Sequence, residues 1–439
     1  MTYEPIRPRQ MPNIRTLLSP ALLAYGISGT AAVASFVATI LLSRGGGAAL
    51  VGEYALAAST ANMLATFAVL GLDRIVMREV AGDLREGLGS AARAKVTGMA
   101  RIVLLVSLAV AALYLPLVLF GPLSALLDAD QGAMLAVVIG ILVWPLYRIA
   151  CHGLRGAGMP IAAQFFEALP TWLFTAVILL LVFAQSITSA GQVTAIFLGL
   201  QLVALLGGGL LLWRRARTWG APASIAMPDY LRAGLPIMAI AFLQTFSEWL
   251  LLAQISAKAS SVEVGAFRVA FQVLTVTTLV LATGESYVAP KLAGDFRAGN
   301  IDRMWQRHRR ATVLMLLLAA PLLLVAMVAP EWLMVTAFGP EFAVAAVPLA
   351  IMALGQFFNV LRGPLGAMLL MTGNEGVLLK ITIGGLALLL VLSFVLIPRF
   401  GLVGAAIAYS AAIILRSVVG YVVARRLLVS ATAVPPLQP

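Results

Sequence analysis

Twelve long apolar runs dominate this chain and leave it few ways to fold. They fall within a few residues of 21–42, 50–72, 100–120, 132–151, 162–183, 191–213, 233–255, 264–289, 311–329, 343–371, 377–397 and 402–424. Each is near or above the roughly 20 residues a helix needs to cross a bilayer. Outer-membrane strands would alternate apolar and polar residues in ~10-residue segments, and these runs do not alternate. The pattern predicts an all-α integral membrane protein of twelve transmembrane helices. Composition agrees: 61% of the residues are hydrophobic and 11% charged, against about 45–50% and about 25% in soluble domains. The first run is longer than a signal-peptide core of about 7–15 residues. It follows a polar tail with Arg7, Arg9 and Arg15, broken by Pro5, Pro8 and Pro12, and reads as an uncleaved first span.

Lysines and arginines orient these spans. With a cytoplasmic N-terminus, the tail and the connections after even-numbered helices hold 24 of the 30 cations. The densest groups are Arg74, Arg78, Arg85, Arg93, Lys95 and Arg101 after the second helix, and Lys291, Arg297, Arg303, Arg307, Arg309 and Arg310 after the eighth. The outer connections hold Arg44, Lys258 and Arg399, and three cations lie inside spans: Arg268, Arg362 and Arg416. Cytoplasmic loops are the ones enriched in Lys and Arg, so both termini are expected in the cytoplasm. The net charge of +12, which in a soluble domain would suggest nucleic acid, is here mostly a topology signal.

The chain also repeats itself. Val51-Gly52-Glu53-Tyr54-Ala55 opens the second helix and Val264-Gly265-Ala266-Phe267-Arg268 the eighth. Ala81-Gly82-Asp83-Leu84-Arg85-Glu86-Gly87 is echoed by Ala293-Gly294-Asp295-Phe296-Arg297-Ala298-Gly299, and Gly158 by Gly373. A steady offset of near half the chain means two six-helix halves entering the membrane from the same side, related by a pseudo-twofold along its normal. Transporters use this architecture, with the substrate path between halves. The organisation expected is a cytoplasmic tail at 1–20, an N-terminal half at 21–213, a basic linker at 214–232 with Pro222 and Pro228, a C-terminal half at 233–424, and a second tail at 425–439.

Enzyme chemistry finds no foothold. No G-x-x-x-x-G-K-[ST] loop, HExxH, CxxC or G-x-S-x-G occurs. No cofactor or metal is expected. Cys151 is the sole cysteine, so no intramolecular disulfide can form. The outer connections are short, which argues against a membrane glycosyltransferase, polymerase or ligase. Gly45–Gly47 and Gly207–Gly209 suit a flexible loop and close helix packing.

Charge at bilayer depth costs about 2.5–3.5 kcal/mol at a helix centre, so each such residue is a functional candidate. On the tenth helix Gly355, Asn359, Arg362 and Gly366 share one helical face, with Gln356 beside it. Arg268, Gln272 and Thr275 stripe the eighth, and Gln244 and Glu248 the seventh; Arg416 lies mid-way along the twelfth. In the first half Ser59, Asn62 and Thr66, and Ser28, Ser35 and Thr39, make milder stripes. Structural alternatives stand beside these. Glu248 pairs with Arg268 or Arg416 to lock helices, Arg44 snorkels from the outer end of the first helix, and Glu167 and Glu285 are caps or anchors. The candidates for substrate binding are Arg362, Arg268, Arg416, Arg44, Asn359, Gln356 and Gln272. Those for ion coupling are Glu248, Glu285 and Glu167.

Phe338-Gly339-Pro340-Glu341-Phe342, Pro348-Leu349, Gly355-Gln356, Asn359, Gly363-Pro364 and Leu369-Leu370-Met371-Thr372-Gly373 together resemble a stretch of the Wzx-type polysaccharide-transport flippases. These belong to the multidrug/oligosaccharidyl-lipid/polysaccharide exporter superfamily. Gly71-Leu72-Asp73-Arg74 with Arg78-Glu79, Tyr287 to Ala293, and Gly401 to Ala406 fit as well, so the resemblance covers nearly the whole chain. The related lipid II flippases usually have fourteen helices, and twelve favours the polysaccharide branch. The resemblance implies a flippase that moves an undecaprenyl-pyrophosphate-type lipid-linked oligosaccharide outward across the inner membrane by alternating access, for O-antigen, capsule or exopolysaccharide, beside a polysaccharide polymerase. Arginine forks suit the pyrophosphate, and amides suit sugar hydroxyls. Two negative charges moved outward through 100 mV gain about 2 × 2.3 kcal/mol. An ion-coupled multidrug exporter of the same superfamily is the alternative; its cationic substrates call for an acidic cavity. A major-facilitator carrier is weaker, since Gly82 to Gly87 misses that family's loop spacing.

Overall fold

A computed structural model describes residues 14–121, 130–223 and 227–430. The expectations for Arg7, Arg9, the three tail prolines and residues 431–439 lie outside the described residues. Helices joined by short turns make up the structure, with no strand among the described residues. Ten segments are long and apolar enough to span a bilayer. Two of them are double. Ile14–Ala68 bends at Gly47 (φ 76°, ψ 174°) and contains the first and second helices. Glu375–Ser430 bends at Gly401 (φ 53°, ψ −127°) and contains the eleventh and twelfth. Between them run the third helix Gly89–Leu119, fourth Gln131–Gly156, fifth Pro160–Phe183, sixth Ala190–Arg217, seventh Pro228–Ser256, eighth Ser261–Arg297, ninth Ile301–Val328 and a broken tenth. The twelve form two six-helix halves. Gly47 and Gly401 mark one end of the bundle, the kink end; the linker and the connections after even-numbered helices mark the other, the basic end.

The repeat is built into the backbone. Gly87 and Gly299 both stop helices in the left-handed region (φ 77° and 70°). At each stop a wrap-around bond forms: Leu88 N–H to Asp83 O at 2.8 Å, and Asn300 N–H to Asp295 O at 2.9 Å. This is the glycine-terminated helix end in which a later amide recovers an orphan carbonyl. The same aspartates each reach a cation twelve residues on: Asp83 to Lys95 at 2.8 Å, Asp295 to Arg307 at 2.5 Å. Gly158 and Gly373 repeat the helix stop at the next basic-end turn (φ 78° and 74°).

The pseudo-twofold is clearest where the halves cross. A Cβ on Gly52 would overlap the Ser261 carbonyl oxygen, and one on Gly265 the Ala48 carbonyl oxygen. Each glycine is the other's repeat partner, so the backbones of the second and eighth helices meet across the axis as closely as glycine permits. This crossing joins the halves near the kink end.

Four expectations change. The second connection is not a loop: Leu72–Arg85 is an amphipathic helix burying Leu72, Ile75, Val76, Val80 and Asp83. The third, eighth and ninth helices run past their apolar runs into Arg- and Lys-bearing turns at the basic end, because a helix ends at its cap and not where hydropathy falls. The first and last pairs are joined by one-residue kinks and not by loops. The tenth helix is not continuous over 343–371. It begins as a 3₁₀ turn at Pro340–Ala345, runs as Ala346–Leu361, breaks, and resumes as Leu365–Met371. Pro364 lacks an amide donor and disfavours helical geometry in the residue before it. Gly363 takes φ 63° there, and a Cβ on it would overlap Thr312 Oγ1. Gly366 therefore does not continue the helical face of Gly355, Asn359 and Arg362.

Candidate translocation cavity

The seventh and eighth helices give the site its frame, because both belong to the second half yet pack against the first. Trp249 Nε1 donates to Thr60 Oγ1 at 2.9 Å across the boundary. Beneath the Gly52–Gly265 crossing lies a cavity of about 290 Å³. Its first-half walls carry Ser35, Thr39, Ser59 and Asn62 with Tyr54, Trp144, Phe174 and Phe197; its second-half walls carry Glu248, Arg268, Phe271 and Gln272. The rings are packed together, Tyr54 stacked on Phe174 at 5.8 Å and edge-on to Phe197 at 5.7 Å. The two neutral polar stripes of the first half thus face the charged stripe of the second.

Glu248 and Arg268 also wall a neighbouring space of about 290 Å³ with Gln356 and Tyr409. There Gln356 Nε2 donates to Tyr409 Oη at 3.0 Å, and Asn359 Nδ2 to Gln356 Oε1 at 3.1 Å. Arg268 lies 6.0 Å from the centre of the Phe271 ring, within reach of a cation–π contact. Glu248 reaches a third cavity, about 640 Å³, inside the second half with Gln244, Thr382, Tyr409 and Arg416. A fourth, about 590 Å³, opens at the basic end between the second and fourth helices and the start of the seventh. Thr66, Asp73, Arg74, Arg78, Arg148 and Gln244 line it. Gln244 and Ile240 border both the third and the fourth cavity, so the seventh helix links the basic end to the centre.

The structure brings Arg268, Gln272, Glu248 and Gln356 together and sets Arg416 one cavity away. No ion pair joins Glu248 to Arg268 or Arg416 among the described residues. Asn359 is buried behind Gln356. Arg362 ends the first segment of the broken tenth helix, facing Glu285. The Arg362 Nε and a Glu285 oxygen are buried without a hydrogen bond, and His308 Nε2 binds the Arg362 carbonyl at 3.0 Å. Arg44 lies at the kink end, donating to the carbonyls of Ala337 (3.1 Å) and Thr336. Glu167 is paired with Arg155 at 2.5 Å. Among the described residues no cluster of three or more His, Cys, Asp or Glu could hold a metal.

Sequence reasoning missed the aromatic walls and the basic-end arginines. Tyr54, Phe174 and Phe197 look like ordinary packing in an apolar helix. Arg74 and Arg148 count equally well as topology markers; the one signal for them was the Gly71-Leu72-Asp73-Arg74 motif.

Known proteins bear on this architecture in three ways. The MatE family profile matches residues 236–395. Among curated proteins none matches. Solved structures of similar fold include an inward-facing multidrug resistance MATE transporter of the MOP superfamily (TM-score 0.71, 13% identity, 94% of this chain and 99% of that one). The lipid II flippase MurJ in an inward closed conformation is similar too (0.72, 13%, 94% and 88%). So is a MOP superfamily transporter from Pyrococcus furiosus described as having a binding pocket of reversed polarity (0.60, 14%, 95% and 95%). The chain thus shares its fold with these solved transporters.

Proposed function

We propose that this protein is a flippase that exports polyprenyl-pyrophosphate-linked oligosaccharide repeat units across the inner membrane, both termini cytoplasmic, for surface polysaccharide synthesis. The observation that carries the reading is the cation content of the interface. Arg268 stands in the wall of the inter-half cavity and Arg416 in the adjoining one, with no carboxylate ion pair to either among the described residues. A guanidinium held at bilayer depth costs about 2.5–3.5 kcal/mol on insertion scales, and an anionic cargo offsets that cost when it binds. Gln272 and Asn62 offer amides to sugar hydroxyls, and the tyrosine and tryptophan faces suit sugar rings. The likeness to MurJ, a lipid II flippase, supports a lipid-linked cargo. Glu248, which borders three of the four cavities, is the foremost ion-coupling candidate.

Deleting the gene should leave lipid-linked oligosaccharide in the cytoplasmic leaflet, restored by wild type and not by Arg268→Glu expressed at the same level. Full complementation by Arg268→Glu sinks the reading. One observation favours the alternative of an ion-coupled multidrug exporter: Glu248 sits in an aromatic-walled cavity, a setting that suits organic cations. Proton- or sodium-driven efflux of cationic dyes, lost in Glu248→Gln, would decide for it.

A further inference from the structure

We propose that the cavity at the basic end is a docking site for the diphosphate group of a lipid, occupied before the cargo reaches the central cavity. This rests on the flippase reading above. The two walls of this cavity differ in kind. The first half contributes every charge, Arg74, Arg78, Arg148 and Asp73, with apolar side chains between them; the second contributes none, only Gln244 with Ile237, Met238, Ile240 and Ala241 from the third and fourth turns of the seventh helix. A wall that carries net positive charge facing one that carries none fits a charged head joined directly to a hydrocarbon chain.

The cationic wall is held in place. Asp73, 1% exposed, takes Arg148 through Nη2 at 2.6 Å and Nε at 3.2 Å, while Nη1 reaches Thr66 Oγ1 at 3.3 Å. Gly71, at φ 71°, sits so close to the Gly234 carbonyl that a Cβ would overlap it, which fixes the following Asp73-Arg74 pair against the second half. Asp73 compensates Arg148. Glu79 divides itself between Arg78 and Lys95, at 3.0 Å each. Arg74 has an exposed guanidinium with no ion pair among the described residues, so the wall keeps an excess of positive charge. Gln244 also borders the cavity that holds Glu248 and Arg416, and Glu248 in turn borders the one that holds Arg268 and Gln272. A topology anchor needs only to be basic; it does not need a cavity walled on its other side by uncharged residues of the opposite half.

The test uses the full chain in phosphatidylcholine nanodiscs, with undecaprenyl diphosphate as the probe and with phosphatidylglycerol and inorganic pyrophosphate as competitors. Replacing two arginines by Arg74→Ala with Arg78→Ala should weaken probe binding about tenfold or more, the scale of one lost charge-assisted hydrogen bond. Arg74→Lys should keep most of it, and Arg268→Ala should still bind while losing turnover. Competition by pyrophosphate and not by phosphatidylglycerol supports a diphosphate site; equal competition by phosphatidylglycerol overturns it in favour of a general lipid-anchoring patch. Unchanged binding in the double variant overturns the docking site and leaves the flippase reading standing. Failure of the wild type to bind the probe sinks the flippase reading itself.

Discussion

The two ends of the molecule are organised by different physics. At the kink end backbone meets backbone. Gly52 and Gly265 cross without room for a Cβ, and the bonds that flank them use main-chain groups. Arg44 reaches two carbonyls at the end of the short helix Pro330–Phe338, and Glu341 Oε2 accepts the Ala48 amide at 2.8 Å. The Gly47 kink frees that amide, and a carboxylate from the opposite half caps it. At the basic end the halves also meet backbone to backbone, at Gly71 and Gly234, but the first half's wall beside that contact is built by side-chain charge: Asp73 with Arg148, and Glu79 and Asp83 with Lys95. The difference teaches that the kink end is joined by shape, while the first half's wall at the basic end is organised by electrostatics around an open cavity. Added volume should break the first, and altered charge the second.

The largest effect is expected from Arg148→Met. It strands the buried Asp73 carboxylate, and breaking such a pair from one side costs about 3–5 kcal/mol. Thermal unfolding in detergent should fall sharply, and the double variant Asp73→Asn with Arg148→Met should recover part of the loss. No recovery would mean that packing, and not charge, holds the basic end.

Next comes Gly265→Val. Overpacking costs about 1–3 kcal/mol, and here the upper end applies because the obstacle is the Ala48 carbonyl, which cannot rotate away. The kink end should be forced open. A cysteine placed at Ala49 in a Cys151→Ser background should then label faster from that side. Gly52→Val should behave the same, since the two glycines are equivalent across the axis; a large difference between them would break the pseudo-twofold account of the crossing. Glu341→Gln is milder. The amide keeps a hydrogen bond to Ala48 N–H but not a charge-assisted one, a loss of about 1 kcal/mol, visible as modestly faster labelling at Ala49 with unchanged folding.

Much of this architecture was legible in the sequence, because hydropathy reports burial in lipid directly and the two halves kept their turn signals. The glycines at 52, 87, 265 and 299 stood out in the repeat because the backbone there admits little else. The ion pairs did not: Asp83 with Lys95 and Asp295 with Arg307 are equivalent in the two halves, but each aspartate lies where cations abound and a lysine stands opposite an arginine in the repeat. The break at Arg362-Gly363-Pro364 was written plainly, but an apolar run on either side hid it. The mouth of the cleft was hidden for a different reason. Arginines at the ends of membrane helices are counted as anchors, and only the fold shows that three of them line one cavity opposite a wall without charge.

The smallest effect concerns pH at the basic end. Burial alone would raise the Glu79 carboxyl, but hydrogen bonds from Lys95 and Arg78 outweigh it and hold the group below its ordinary value of 4.5. A carboxyl depressed on folding stabilises the native state above its unfolded value, and that contribution disappears as pH falls through the lower, folded one. Above that value the attachment of Leu72–Arg85 to the third helix should be flat with pH. Below about pH 4 it should loosen, seen as faster hydrogen exchange over 72–85 while the Gly52–Gly265 crossing stays protected. Glu79→Gln should remove most of that pH step. Equal loosening at both ends on acidification would mean that charge also holds the kink end, and the contrast between the two ends would fail.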